Sequence, residues 1–311
     1  MNWLGYTILA LALLGLVTYG VWRWAAATGS AATLEWIDTR FSRDRSVELI
    51  AREAHGPHPS QRVELWMPAG SSEQARNVPL IAFYHGGGWH SGSIDDYRFV
   101  ARSLGERGFA TALIGYRLVP DGRFPTMLED SADGLAKALE MGAQTGLTTE
   151  RVVLAGHSAG AYNAVMLALN PQYLRKAGVF EERVAGVIGL AGPYDFYPFT
   201  SESARDALGN AADPTATQPI TFARGDGPPM LLMTGDEDDR VKPRNTRVLA
   251  RAVRAEGGRA NAIIIPDMGH AGIIMAFSKP FERDAVMDPV ATFAERVLGS
   301  SASVPVQRPD R

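Results

Sequence analysis

Val152-Val153-Leu154-Ala155-Gly156-His157-Ser158-Ala159-Gly160-Ala161, continuing apolar and Ala-rich as far as Leu169, is the stretch whose reading decides the fold. Residues 152–155 form a short apolar run that suits a strand buried on both faces, and residues 158–169 have the composition of a helix buried against a sheet. Between them stands G-x-S-x-G, in the strand-to-helix setting that gives this pattern meaning. A sharp corner there lifts the Ser158 hydroxyl above the sheet. Glycines on either side let neighbouring chains come close, and the helix N-terminus beneath favours developing negative charge.

Upstream, residues 79–84 (PLIAFY) are a second short apolar run, ended by His85-Gly86-Gly87-Gly88-Trp89. Consecutive glycines leave backbone N–H groups uncovered. With the N–H of Ala159, those of Gly87 and Gly88 would offer three donors to a tetrahedral oxyanion. A serine nucleophile needs a base, and the chain has six histidines. His55 and His58 belong to a Pro-rich turn, and His85 and His157 shape the turns they sit in. His90 follows the glycine loop and, with Trp89, is a candidate substrate contact; Phe124 and Tyr162 are further candidate pocket walls. His270, in Asp267-Met268-Gly269-His270-Ala271-Gly272 after the final strand, is the candidate base. Its orienting acid belongs after the preceding strand, where residues 234–241 hold four acids. Charge alone leaves that choice open. The pattern Gly235-x-x-Asp238-x-x-Val241 singles out Asp238, with Asp236 and Asp239 next and Asp195 more remote. The chain order Ser158, Asp238, His270 is that of α/β-hydrolases.

Strand readings at 47–53, 62–67, 79–84, 109–114, 152–155, 184–190, 229–234 and 261–265 alternate, after the first pair, with helical stretches near 97–107, 128–141, 158–169 and 246–256. Such alternation predicts an α/β protein with a mostly parallel central sheet covered by helices on both faces. The catalytic domain is expected over 47–298, after a mixed linker at 25–46 with room for a short helix. Residues 194–227, rich in Pro, Ala and polar residues, are read as a small lid, and 299–311 as a disordered tail.

Composition closes off other chemistries. The 311 residues carry 31 Lys+Arg against 34 Asp+Glu, a net charge of −3 without the basic surplus that nucleic acid would ask for. Zero cysteines exclude disulfides, Cys-ligated zinc, iron–sulfur clusters and thiol catalysis. Residues 3–22 (WLGYTILALALLGLVTYGVW) carry no charge, and a helix of that length spans about 30 Å, a bilayer's hydrocarbon core. Aromatic residues at both ends and an n-region without Lys or Arg favour one N-terminal transmembrane anchor at 1–24. A signal peptide cleaved near Ala25-Ala26-Ala27, with a secreted or periplasmic product, is the alternative. The lone Arg23 leaves the side of the catalytic domain open.

Residues 85–89 with Ser91-Gly92-Ser93, Tyr116-Arg117-Leu118 with Pro120, 156–160 and 235–241 together resemble the hormone-sensitive-lipase-like esterases and the related bacterial feruloyl-esterase-like (BD-FAE) branch. The resemblance covers about 47–298. It implies an α/β-hydrolase fold and a serine carboxylic ester hydrolase of small-molecule esters that needs no metal or cofactor. The same machinery could serve an amide, as in arylformamidases with a similar His-Gly-Gly loop, and a membrane-tethered binder is the non-enzymatic rival. The segment before residue 47 is too short for the large helical cap of true hormone-sensitive-lipase relatives.

Overall fold

The computed structural model describes residues 30–42, 46–71 and 78–299, with scattered positions between 3 and 20. Helix α1 (Ala31–Phe41) leads into strands β1 (Val47–Ala54), β2 (Arg62–Pro68) and β3 (Leu80–Tyr84). There follow α2 (Arg98–Gly105), β4 (Ala110–Ile114), α3 (Thr126–Gln144), β5 (Val152–His157), α4 (Ala159–Leu169), α5 (Gln172–Lys176) and β6 (Val184–Leu190). The last third supplies α6 (Glu202–Leu208), β7 (Met230–Gly235), α7 (Arg244–Ala255), β8 (Ala260–Ile265), α8 (Gly272–Met275) and α9 (Asp284–Leu298).

The eight strands form one sheet in the order β1-β2-β4-β3-β5-β6-β7-β8. β1 and β2 pair antiparallel, as do β2 and β4, and every pairing from β4 to β8 is parallel. Fully buried runs such as Leu80–Tyr84 and Met230–Gly235 reflect coverage on both faces. Alternate residues divide between two cores. Leu80, Ala82 and Tyr84 pack with α3, α4 and α7, whereas Ile81 and Phe83 pack with α1, α2 and α9. Every residue of α4 is buried, which explains its apolar composition on all sides. The helical stretches legible in the sequence do not include α9, whose pattern Pro289 interrupts.

Topology positions the site. The chain leaves β3 to build β4 on one side and returns to build β5 on the other, with Tyr84 level with Gly156. The loops after β3 and β5 therefore emerge side by side at the carboxyl edge, where strand order reverses and open α/β sheets bind ligands.

At the opposite flank, β2 breaks the apolar alternation with Glu64, whose side chain is completely buried. Arg98 forks onto both carboxylate oxygens at 2.9 and 2.7 Å, and Arg52 and the Trp66 indole N–H complete the set. Burial pushes this carboxyl up, but the Arg98 hydrogen bonds and charge, with Arg52 and Trp66, hold it below its ordinary value. The pair's contribution is thus complete above the ordinary carboxylate range and is lost as pH falls through the depressed value.

The predicted transmembrane span falls on residues that lie mostly outside the described ones, as does the tail beyond Gly299. Among the described residues no helix is long and apolar enough to cross a membrane. The linker at 25–46 includes α1, which is packed onto the body: Leu34 joins the core that also holds Phe99 and Leu104, and Ile37 is buried.

Glu64→Gln is expected to lower unfolding free energy by about 3 kcal/mol in urea titrations at pH 7. The deficit should shrink as the pH is lowered below the carboxylate range.

Candidate active site

Ser158 occupies a backbone conformation that only strong local packing sustains, with φ 54° and ψ −118°. Gly156 and Gly160 make the corner possible. A Cβ on Gly160 would run into the carbonyl oxygens of Tyr84 and His85, and one on Gly156 into the backbone of Gly160. The elbow is therefore pressed directly onto the end of β3, where the glycine loop starts.

The Ser158 hydroxyl lies 2.9 Å from His270 Nε2, and His270 Nδ1 lies 2.8 Å from Asp238 Oδ2. The carboxylate can only accept, so Nδ1 carries the proton and Nε2 is free to accept from the serine. Asp238 is 2% exposed. The Arg240 and Val241 backbone N–H groups donate to its other oxygen at 3.1 and 2.8 Å, and the Thr234 hydroxyl donates to Oδ2 at 3.2 Å. The buried charge is thus fully solvated by protein donors. Backbone bonds stitch its loop to the histidine loop, from Asp236 N to the Ile265 carbonyl at 2.9 Å and from Glu237 N to the Met268 carbonyl at 3.1 Å. Of the rival acids, Asp236 accepts from Met268 N, Asp239 is exposed, and Asp195 pairs with Arg244.

The glycine loop adopts left-handed geometry at Gly87, Gly88 and Trp89, with φ 124°, 61° and 63°. The Gly87 carbonyl turns away to accept from His90 N and Ser91 N. Among the described residues no protein acceptor takes up the N–H groups of Gly87, Gly88 or Ala159. Trp89 is 3% exposed, its ring edge-on to Tyr162 and stacked over Phe196. Its indole N–H donates to Asn163 Oδ1 at 3.3 Å, and the Asn163 amide donates to the Ser131 hydroxyl at 3.0 Å. His90 is more open and faces Asp206 at 3.5 Å. Phe124 is partly buried; its N–H donates to the Ala207 carbonyl of α6 at 2.8 Å.

Two other histidines flank the site and are buried. Burial pushes His85 down to about 4 and His157 well below its ordinary value, so both are neutral at pH 7. His157 lies between the Tyr97 hydroxyl at 3.3 Å and the His270 carbonyl at 3.4 Å. Gly86 lies so close that a Cβ there would meet the Tyr97 hydroxyl and His157 Nδ1 at 2.9 Å, so this cluster ties the glycine loop to the serine corner and the histidine loop. Tyr116 stacks on His85 and donates to its carbonyl at 2.7 Å, which accounts for the Tyr116-Arg117 motif together with the Arg117–Asp130 pair. Tyr97 and Asn163 have no local signature; their partners are 60 and 74 positions away.

The segment at 194–227 contains α6 and two short 3-10 turns. Arg123 pairs with Asp206 and Asn210 donates to the Phe124 carbonyl, fastening α6 beside the glycine loop. Ser203 of α6 faces Gly88. The described residues hold no cluster of three or more His, Asp or Glu that could take a metal ion.

A doubly wound sheet whose β5 corner presents a serine to a histidine–carboxylate pair defines an α/β-hydrolase. The BD-FAE family model matches residues 63–253, more than half of the chain, and the chain belongs to that family. A probable isoprenylcysteine alpha-carbonyl methylesterase from Oryza sativa subsp. japonica is 23% identical over 274 residues, covering 79% of this chain and 63% of the relative. This chain thus spans just under two thirds of that relative. Kynurenine formamidase from Danio rerio is 27% identical over 167 residues, 53% of this chain and 54% of the relative. Esterase B from Lactobacillus rhamnosis superposes with a TM-score of 0.71 at 21% identity, covering 92% of this chain and 96% of that one.

Gly160→Ala must force the serine corner off the end of β3. Unfolding titrations should show a loss of about 3 kcal/mol or more, whereas Gly257→Ala, with no atom near its added methyl group, should cost clearly less.

Proposed function

We propose that the chain is a serine hydrolase of small-molecule carboxylic esters that works through an acyl-enzyme on Ser158. The observation that carries this reading is the unbroken line of contacts from the Ser158 hydroxyl through His270 to Asp238, beside three backbone N–H groups that no acceptor among the described residues takes up. Ser158 attacks the ester carbonyl while His270 Nε2 takes its proton. The oxyanion that forms is held by the N–H groups of Gly87, Gly88 and Ala159, and the α4 N-terminus adds a favourable field. Collapse expels the alcohol, which receives the proton from His270. A water then repeats the sequence on the acyl group, releasing the acid and regenerating Ser158. Asp238 keeps Nδ1 protonated and stabilises the imidazolium. The Ser158 hydroxyl meets His270 Nε2, while burial weakens His85 and His157 as bases. Trp89 and His90 flank the acyl site in this reading, and 194–227 lies over it as a lid. Relatives named as methylesterases and carboxylesterases support an ester substrate.

The kynurenine formamidase match favours a second reading, a formamide hydrolysed by the same groups. We further propose that residues 3–22 anchor the chain in a membrane, a reading supported by twenty uncharged residues bounded by aromatics. An intact mass that retains residue 1 distinguishes this anchor from a cleaved signal peptide.

Turnover of p-nitrophenyl acetate and of N-formylkynurenine by the same preparation tests the assignment. The ester should be the faster substrate; a faster formamide would support the second reading. Ser158→Ala should remove acylation, and Asp238→Asn should lower kcat by about 10⁴-fold. Undiminished turnover in Ser158→Ala would refute the mechanism.

A further inference from the structure

The mechanism leaves one buried polar chain unused. Asn163 stands in the second turn of α4, five positions after Ser158, and Ser131 stands on α3; neither has any exposed surface. Burying an amide and a hydroxyl is costly unless each is hydrogen-bonded. Here each bond has one possible direction. The Trp89 indole can only donate, so it fixes Asn163 Oδ1 toward itself at 3.3 Å. The Asn163 NH2 group then faces the Ser131 hydroxyl at 3.0 Å, and that hydroxyl donates to the Met127 carbonyl at 2.7 Å. The chain runs from α3 across α4 and ends on the glycine loop.

The residue at that end bears on the site. Trp89 directly follows Gly88 and is left-handed, with φ 63°, a conformation that a residue with a side chain holds only when its surroundings impose it. Tyr162 meets its ring edge-on and Phe196 covers it, but ring contacts alone let a ring slide in its plane. The indole hydrogen bond fixes one point of it. The start of the glycine loop is already pressed to the serine corner at Gly86 and Gly160. At its far end, the Trp89 carbonyl accepts from Val119 N at 2.8 Å, and among the described residues the indole makes the only hydrogen bond from Trp89 to α4. Because α4 also carries Ser158 at its start, that bond sets the donor loop and the nucleophile on one rigid helix.

We propose that Asn163, braced by Ser131, is a positioning residue that holds the Gly87 and Gly88 N–H groups in register with Ser158 by pinning the Trp89 indole to the nucleophile helix. The proposal rests on the acyl-enzyme reading and adds to it a fully buried residue outside the triad. The loop donors matter most once the carbonyl oxygen bears charge. Loss of the pin therefore weakens the tetrahedral state and leaves ground-state binding as it is.

Asn163→Leu removes the acceptor and keeps a side chain of similar size, and Trp89→Phe removes the indole N–H and keeps a ring. The full chain and each variant are assayed for p-nitrophenyl acetate turnover and for inhibition by trifluoroacetone. Ser158 Oγ adds to the ketone carbon as its proton passes to His270, which leaves a tetrahedral oxyanion facing the loop donors. Each variant should lose kcat by roughly 10- to 100-fold, with KM within about twofold of the native value. The ketone Ki should rise by the factor that kcat falls, and the double variant should be no worse than either single one. Should Asn163→Leu fail to fold, Trp89→Phe leaves Asn163 in place and carries the test. Folded variants with native kcat, a raised KM alone, or a lower kcat at unchanged ketone Ki would overturn the positioning role and leave the acyl-enzyme standing. A native chain that neither turns over the ester nor is inhibited by the ketone would overturn both.

Discussion

The structure turns on a backbone contact rather than on any one side chain. Gly160 sits against the carbonyls of Tyr84 and His85 so closely that a methyl group has no room. That contact presses the serine corner onto the end of β3 and sustains φ 54° at Ser158. The strain is a cost of order 1–3 kcal/mol, offset by α4, which is buried on every side. It also brings the glycine loop and the serine to one place, because both leave the sheet at neighbouring strands that are level with each other.

Around that corner the polar groups divide into two kinds. Ser158, His270 and Asp238 stand in one hydrogen-bonded line, with Asp238 solvated by backbone and threonine donors instead of water. Others act at one remove. Tyr97 and His157 link the glycine loop to the histidine loop, and Asn163 holds the Trp89 indole at the top of the nucleophile helix. Burial keeps His157 and His85 neutral, so they can brace the loops without competing for the serine proton. Charge placed away from the site does a different job: Glu64 with Arg98, and Arg102 with Glu35 and Asp38, bind α1 and α2 to the back of the sheet.

Much of this was legible in the sequence because it is written in local patterns. Short apolar runs ended by glycine mark the parallel strands, and G-x-S-x-G between a strand and an Ala-rich run marks the corner. Spacing within 235–241 picked out Asp238 from four acids, and it is Asp238 that meets His270. What was not legible lacks a local pattern. The Tyr97–His157 and Trp89–Asn163 contacts join residues far apart in the chain through ordinary-looking positions. α9 contains Pro289, which hides a helix from periodicity, yet its Val286, Val290 and Phe293 fill the core under β6. Residues 25–46 read as a mixed linker with a short helix, and what the sequence does not show is that α1 is fastened by carboxylates whose partners lie more than sixty positions on.

In the proposed mechanism the strained corner delivers one serine, activated by one histidine, to a reactive acyl centre. Mass spectrometry of the full chain treated with a fluorophosphonate measures this directly. A single adduct is expected on the peptide containing Ser158, lost in a folded His270→Ala variant. An adduct on any other residue, or undiminished labelling of Ser158 without His270, would contradict it.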